Sequence, residues 1–279
     1  MKVLNDTRTA FARELGPELR QPAGLLFTML LPFLFLALFA PLLPSMSPAG
    51  GDTGTGSPWQ WFVPGMLVLL ALSATAGAGA SLLNEMSSGA FERMLVTPLN
   101  RAAMLVGRAL KEVVILLTQA LLILALLLPT DFRLRPLGVL AGLALLTVFG
   151  IGIGALSFTL ALHSRKQQTL FYGVQQMIFF PLLLLSGVLL PITQTSAPIW
   201  LYVLSRINPA TYVVEAERAL FDGRFAETSV LYGILAATAI AVLGVVAGIR
   251  GMRKRLRVKR RPPNPPAAAR VRTRRSTAP

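Results

Sequence analysis

Apolar positions along this chain come in long blocks with short polar punctuation between them. Six blocks approach the length that crosses a bilayer: 24–43, 61–83, 104–129, 136–162, 169–190 and 230–250. About 20 apolar residues rising ~1.5 Å each match a hydrocarbon core ~30 Å thick. Backbone groups in lipid must bond internally, so the blocks predict helices; the alternating polarity of barrel strands is missing. The pattern therefore predicts an all-α integral membrane chain with six transmembrane helices. The first block exceeds the usual apolar run of a cleavable signal and follows a long acid-containing segment, so it is read as a retained span.

The punctuation has its own patterns. In residues 1–23, Leu4, Phe11, Leu15 and Leu19 fall near one helical face. This predicts an interfacial helix, bent or split at Gly16-Pro17, with a frayed segment as the alternative. Between the second and third blocks lies "NEMSSGAFERMLVTPLNR", residues 84–101. There Ser88 can cap a short helix starting near Gly89. Phe91, Met94 and Leu95 make one apolar stripe, with Glu92 and Arg93 pointing away. Pro98 turns Thr97 away from helix, leaving about two turns, marginal unless packed on something. Either the ends of its own spans or a groove on a soluble partner could supply that seat.

Segment 191–229 is too apolar for an ordinary loop. Its two short amphipathic stretches, around 198–207 and 210–221, are split by Asn208-Pro209. It is read as a re-entrant or interfacial helix pair, a lid over any pathway, rather than a surface loop with helical turns. Pro209, Glu215 and Arg218 are its candidate outer-gate residues, and Glu215, Glu217 and Arg218 are expected to face water or each other. Residues 24–250 thus form one transmembrane domain, and 251–279 a basic, disordered tail.

Composition agrees with the membrane reading: 54% of residues are hydrophobic and 14% charged, against roughly a quarter charged in soluble domains. Charge also orients the chain. With both termini inside, 22 of the 27 Lys and Arg lie on inner segments and 5 on outer ones. Without the twelve from Arg250 onward the count is still 10 to 5, so the positive-inside rule does not rest on the tail. The expected place is a cytoplasmic membrane, multi-pass, with 84–101 cytoplasmic. The tail has no interleaved aromatic for base stacking and directly follows a span, so it is read as a topology anchor on anionic lipid, not a nucleic-acid binder.

Candidate chemistry is sparse. There is no cysteine, which excludes disulfides, thiolates and Cys-zinc sites. The one histidine, His163, falls at a span end beside Ser164 and Arg165, and an embedded hydrolase has no evident nucleophile and base. No metal site or resident cofactor is expected, and no G-x-x-x-x-G-K-[ST] phosphate loop occurs. Gln119, Gln175 and Gln176 lie within spans, where interhelical bonding and contact with a cargo are both open readings. Small residues four apart, Ser73/Gly77/Ser81 and Gly150/Gly154, predict close helix packing inside the chain or, less favoured, a dimer seam.

These motifs together resemble the type-2 ABC exporter permeases, especially the daunorubicin-resistance type. Glu85, Gly89, Glu92, Leu95, Thr97, Pro98, Leu99, Arg101 and Gly107 match that family's cytoplasmic motif. "LSGVLLPI" with "APIWLYVLSRINPATYVVEAERALF" resembles its outer segment, and "RELGPELRQPAGLLFTMLLPFLFLALF" its interfacial helix and first span. Met86 and Ser87 depart from the family pattern, which often has a basic residue there. The resemblance implies a transport subunit, not an enzyme. Its coupling helix, formed by Glu85, Gly89, Phe91, Glu92, Arg93, Leu95, Thr97, Pro98 and Arg101, would seat on a separate ATP-binding subunit. Two such subunits, carrying ATP and magnesium, and a permease homodimer or heterodimer would complete the exporter. A drug, natural product or lipid-like molecule is the implied cargo. Polysaccharide, glycolipid or haem-related export is the alternative, and a membrane-embedded enzyme a weaker one.

Overall fold

The computed structural model describes residues 7, 11, 12, 15, 16, 22–39, 58–88, 101–129, 132–164, 167–194 and 197–259. Positions 22–28, 31, 58, 101–106 and 252–259 are described as backbone only. The expected interfacial helix over 1–23 lies almost wholly outside these residues. Within them the chain is helical, without strands. The helices are α1 (Pro22–Phe39), α2 (Pro58–Ala76), α3 (Ala78–Ser87), α4 (Arg101–Leu126), α5 (Pro136–His163), α6 (Gln168–Leu184), α7 (Ile199–Ile207), α8 (Pro209–Phe221) and α9 (Thr228–Lys259).

Four stretches among the described residues are long and apolar enough to cross a membrane: Trp59–Ser87, Gly107–Leu126, Pro136–His163 and Thr228–Gly251. They correspond to the second, third, fourth and sixth predicted spans. The first and fifth predicted spans are occupied by α1, of 18 residues, and α6, of 17. The fifth stops at Leu184, short of the predicted 190. Its last turn closes by Leu185 N–H donating to Pro181 O (3.0 Å) and Ser186 N–H to Leu183 O (3.3 Å). Gly187 then takes φ +71°, a left-handed conformation that a residue with a Cβ resists.

The second span has a break that the apolar pattern does not show. α2 and α3 meet at Gly77, and Ser157 of α5 enters the gap. Its hydroxyl accepts from Gly79 N–H (3.0 Å) and donates to Ala76 O. A side chain inserted into the helical ladder is one of the few causes of such a break. A Cβ on Gly79 would overlap the Ser157 carbonyl, so the close approach here is Gly79 to α5. Ser73 and Ser81 instead bond back to Leu70 O and Ala78 O of their own helices. Gly150 lies against Leu116 and Thr75, which is packing within the chain.

α2 is the enclosed centre, with Phe62, Val63 and Met66–Leu72 all buried. Around it stand α1, α4, α5, α6 and α8, and α5 packs along α9. Gly152 admits the α9 backbone at Ile240–Ala241, and Gly244 admits the α5 backbone. Small residues at both sites let the helices gain van der Waals contact where no hydrophobic drive exists between spans. α9 runs unbroken to Lys259, so the first residues of the expected disordered tail are helical. Met, Leu, Lys and Arg favour helix, basic residues suit a helix C-terminus, and Pro262 lies just beyond.

Candidate functional site

At the predicted cytoplasmic end, α3 finishes with Ser88, whose hydroxyl donates to Glu85 O. Ser88 thus closes α3 on its C-terminal side. One turn earlier Glu85 meets Arg108 of α4 in an ion pair; the Arg108 side chain is 5% exposed and that of Glu85 27%. The bases of the second and third predicted spans are therefore tied directly, at the two roots of the 84–101 segment. A turn further into α4, Lys111 pairs with Glu112 at 3.1 Å. Arg108 entered the sequence reading only as a topology charge. Gly89, Phe91, Glu92, Arg93, Leu95, Thr97 and Pro98 lie outside the described residues. Arg101 opens α4 and is described as backbone only.

The three glutamines occupy three environments. Gln119 is buried in α4, which packs on α1, α2 and α5. Gln175 is half-buried on α6 and Gln176 is exposed there. The α6 helix packs on α2, α5 and α8.

The predicted outer end is the more fully built site. Pro209 opens α8, its missing N–H costing nothing in a first turn. Asn208 caps it: Oδ1 accepts from Ala210 N–H (3.0 Å), while Nδ2 donates to Leu182 O of α6 (2.8 Å). Thr211 Oγ1 lies within hydrogen-bond reach of Leu185 O (2.9 Å) and Ser205 O (2.8 Å), sharing its one proton between the end of α6 and α7. At the far end, Arg224 N–H donates to Ala219 O (2.8 Å) and Gly223 N–H to Leu220 O (2.9 Å). This is a Schellman closure with Gly223 at φ +77°.

The charged residues of α8 point in three directions. Glu215 pairs with Arg206 of α7 (3.0 Å), whose guanidinium lies by the Tyr202 and Tyr212 rings (5.2 and 5.9 Å). Arg218 reaches across to α2. Its guanidinium carbon lies 3.9 Å from the Trp61 ring centre, Nε donates to Trp61 O (3.0 Å) and Nη2 to Gly187 O (2.9 Å). One side chain thereby joins α8, the top of α2 and the turn after α6. Burial pulls Arg218 down to about 9, opposed by Glu215 and Asp222, so it stays cationic at neutral pH.

Glu217 corrects the expectation that it faces water or its charged neighbours. It is 0% exposed and neither carboxyl oxygen has a hydrogen-bond partner among the described residues. A Cβ on Gly142 of α5 would lie 2.5 Å from its Oε2, and one on Gly138 would strike Leu220 O. Gly138 and Gly142, four apart, form a notch into which this face of α8 sinks. Burial pushes the Glu217 carboxyl up to about 8. The signal was present in the sequence, since Ala210, Val213, Val214, Glu217, Leu220 and Phe221 share one helical stripe. Gln60 was missed altogether: Nε2 donates to Phe221 O (3.1 Å) and Arg133 O (3.3 Å), and Oε1 accepts from Arg133 N–H (3.2 Å).

Comparison with known proteins bears on this arrangement. Over 206 residues, 72% of this chain and 70% of the relative, it is 27% identical to the daunorubicin resistance ABC transporter permease protein DrrB1 of Streptomyces coeruleorubidus. It is 30% identical over 205 residues, 73% of this chain and 69% of the relative, to a protein named as transport permease ycf38 of Cyanophora paradoxa. A protein of Escherichia coli K12 named as multidrug ABC transporter permease YbhR is 28% identical over 58% of this chain and 44% of its own length. The ABC-2 type transporter domain matches residues 6–221, from the N-terminal segment through α8. With that match over most of its length and several apolar helices of membrane-crossing size, the chain belongs to the ABC-2 type transporter family of integral membrane proteins.

Proposed function

We infer that the chain is the permease subunit of an ATP-driven exporter, carrying a hydrophobic or amphipathic small molecule outward across the cytoplasmic membrane. Membership of the ABC-2 family carries this reading. The relatives named for daunorubicin and multidrug transport support the cargo class. ATP and magnesium belong to a separate ATP-binding subunit, two copies of which serve a permease homodimer or heterodimer. Six spans, α1, α2–α3, α4, α5, α6 and α9, leave both termini and the coupling segment 84–101 on the cytoplasmic side. α7 and α8 lie in the outer leaflet, and the basic end of α9 meets anionic lipid headgroups.

The second span is the mechanical link in this reading. Its outer end is held by Arg218 through Trp61, and its inner end by Arg108 through Glu85. A push on the coupling segment, applied by Phe91 in a groove of the ATP-binding subunit, is transmitted along α3 and α2 to the α8 clamp. Glu92, Arg93 and Arg101 supply charge for the same contact, with Gly89, Leu95, Thr97 and Pro98 shaping its turn. Gln119, Gln175 and Gln176 are the candidate polar contacts of the cargo path. An aromatic anchor at a small contact is worth ~2 kcal/mol or more, and ~1.4 kcal/mol is tenfold in affinity. Phe91→Ala should therefore reduce both co-purified ATP-binding subunit and cargo export at least tenfold, at equal membrane abundance. Unchanged recovery and export would show the segment to be a plain connector.

A further inference from the structure

Glu217 is not needed by the coupling scheme, and its setting is chemically unusual. The carboxyl group is fully enclosed, both oxygens lack a partner among the described residues, and Oε2 lies against Gly142, at a spot where a Cβ would also meet the Phe221 ring. The helices packed on α8 are α2, α5, α6, α7 and α9. α2 has no titratable residue. α5 has only His163, at its opposite end, with Arg135 at its N-cap donating to Asp222 O, and α6 only Tyr172. On α9 there is Tyr232, which meets the Tyr212 ring at 6.1 Å, and then nothing titratable before Arg250. α7 offers Tyr202 and Arg206, and Arg206 is taken by Glu215. On α8 itself Tyr212 donates to Arg206 O and Arg218 is turned to Trp61 and Gly187. Asp222, in the following turn, pairs with Arg224 at 2.9 Å. No described cation is directed at Glu217.

An unpaired carboxylate in such a place would be strongly disfavoured, whereas the neutral acid fits. We propose that Glu217 is a proton site coupled to the docking of α8, so that α8 seats in the Gly138/Gly142 notch with the acid protonated and leaves it as the carboxylate. On undocking, the Oε–H bond breaks, the proton passes to water at that face and the carboxylate is hydrated. On re-docking one proton is taken up. The outer placement of α8 sets only which side receives the proton; the coupling itself does not depend on cargo or ATP.

The sign follows from the carboxyl's raised pKa, from 4.5 to about 8 with burial. Docking is strongest below pH 4.5, weakens tenfold per unit above it, and levels off above about 8. The cysteine-free full chain in nanodiscs allows a direct test. Val214→Cys places a thiol on the docked stripe one turn before Glu217, 0% exposed, and Ala226→Cys gives an exposed reference. The labelling rate of the first divided by that of the second reports the open fraction, free of the thiol's own titration. Between pH 5 and 7 this ratio should rise about 70-fold in the parent chain. It should be flat in Glu217→Gln and in Glu217→Leu, which remove the proton site with and without a polar group. A flat ratio in the parent, or a rise that persists in both variants, overturns the proposal. Because the readout is docking alone, it can fail while export and ATPase binding stand, and the reverse.

Discussion

Arg218→Lys isolates what the guanidinium fork contributes at the outer clamp. Arg218 donates to two carbonyls on different elements, at 3.0 and 2.9 Å, and its guanidinium carbon lies over Trp61, 3.9 Å from the ring centre. A lysine keeps the charge but, as a point donor, serves one of the two acceptors and gives up the guanidinium's contact with the ring. A hydrogen bond to a charged group contributes ~1.5–3 kcal/mol, and a cation–π contact ~0.5–2 kcal/mol. Taking the low ends, because such terms do not add fully, Arg218→Lys should loosen the clamp by ~2 kcal/mol, about 30-fold in the opening equilibrium. Arg218→Met, which loses both bonds and the ring contact, should cost ~3.5 kcal/mol, about 300-fold. The reporter is Val188→Cys, fully buried next to Gly187. Its labelling rate at fixed pH tracks the open fraction when reclosing outpaces reaction. Arg206→Lys is the contrast: its pair with Glu215 is about a third exposed on each side (35% and 33%), and an exposed pair is worth ~0–1 kcal/mol. Labelling that rises less than about threefold in both Arg218 variants, or equally in Arg206→Lys, would refute the clamp.

Two further outcomes follow from the same geometry. Gly142→Ala puts a Cβ 2.5 Å from Glu217 Oε2 and 2.6 Å from the Phe221 ring, an overpacking of ~1–3 kcal/mol that should lower the melting temperature in detergent. Gly173→Ala on α6 meets nothing within 4 Å and should be neutral or mildly stabilising; equal losses in the two would discount the notch. For orientation, Ser88→Cys, exposed at the end of α3, should react with an impermeant thiol reagent only in permeabilised cells, and Ala226→Cys in intact ones. Labelling of Ser88→Cys from outside would reverse the topology.

The sequence alone determined that this is a helical membrane chain, roughly where most spans lie, and to which family it is similar. These are properties of composition, block length and motif order, and lipid admits few alternatives because every backbone group must bond within its own segment. The helix pair over 191–229 was also legible, since Asn208-Pro209 carries its own capping chemistry. Partner choice among polar residues was not. Glu85, placed by its motif at a contact with another protein, pairs within the chain to Arg108, twenty-three positions along. Arg218, assigned to an outer gate, reaches Trp61, 157 positions away. Ser157 and Gly79, neither singled out beforehand, fix the break at Gly77 across 78 positions. Nothing local distinguishes these residues from their neighbours. A hydroxyl or guanidinium has many possible acceptors in sequence, and the one it finds depends on which backbones come close. That is set by where glycines permit contact between helices distant in the chain. Glu217 shows the difference most plainly. Its helical stripe could be read in the sequence, but only the packing of α8 into the Gly138/Gly142 notch decided that this carboxyl is enclosed with no hydrogen-bond partner among the described residues.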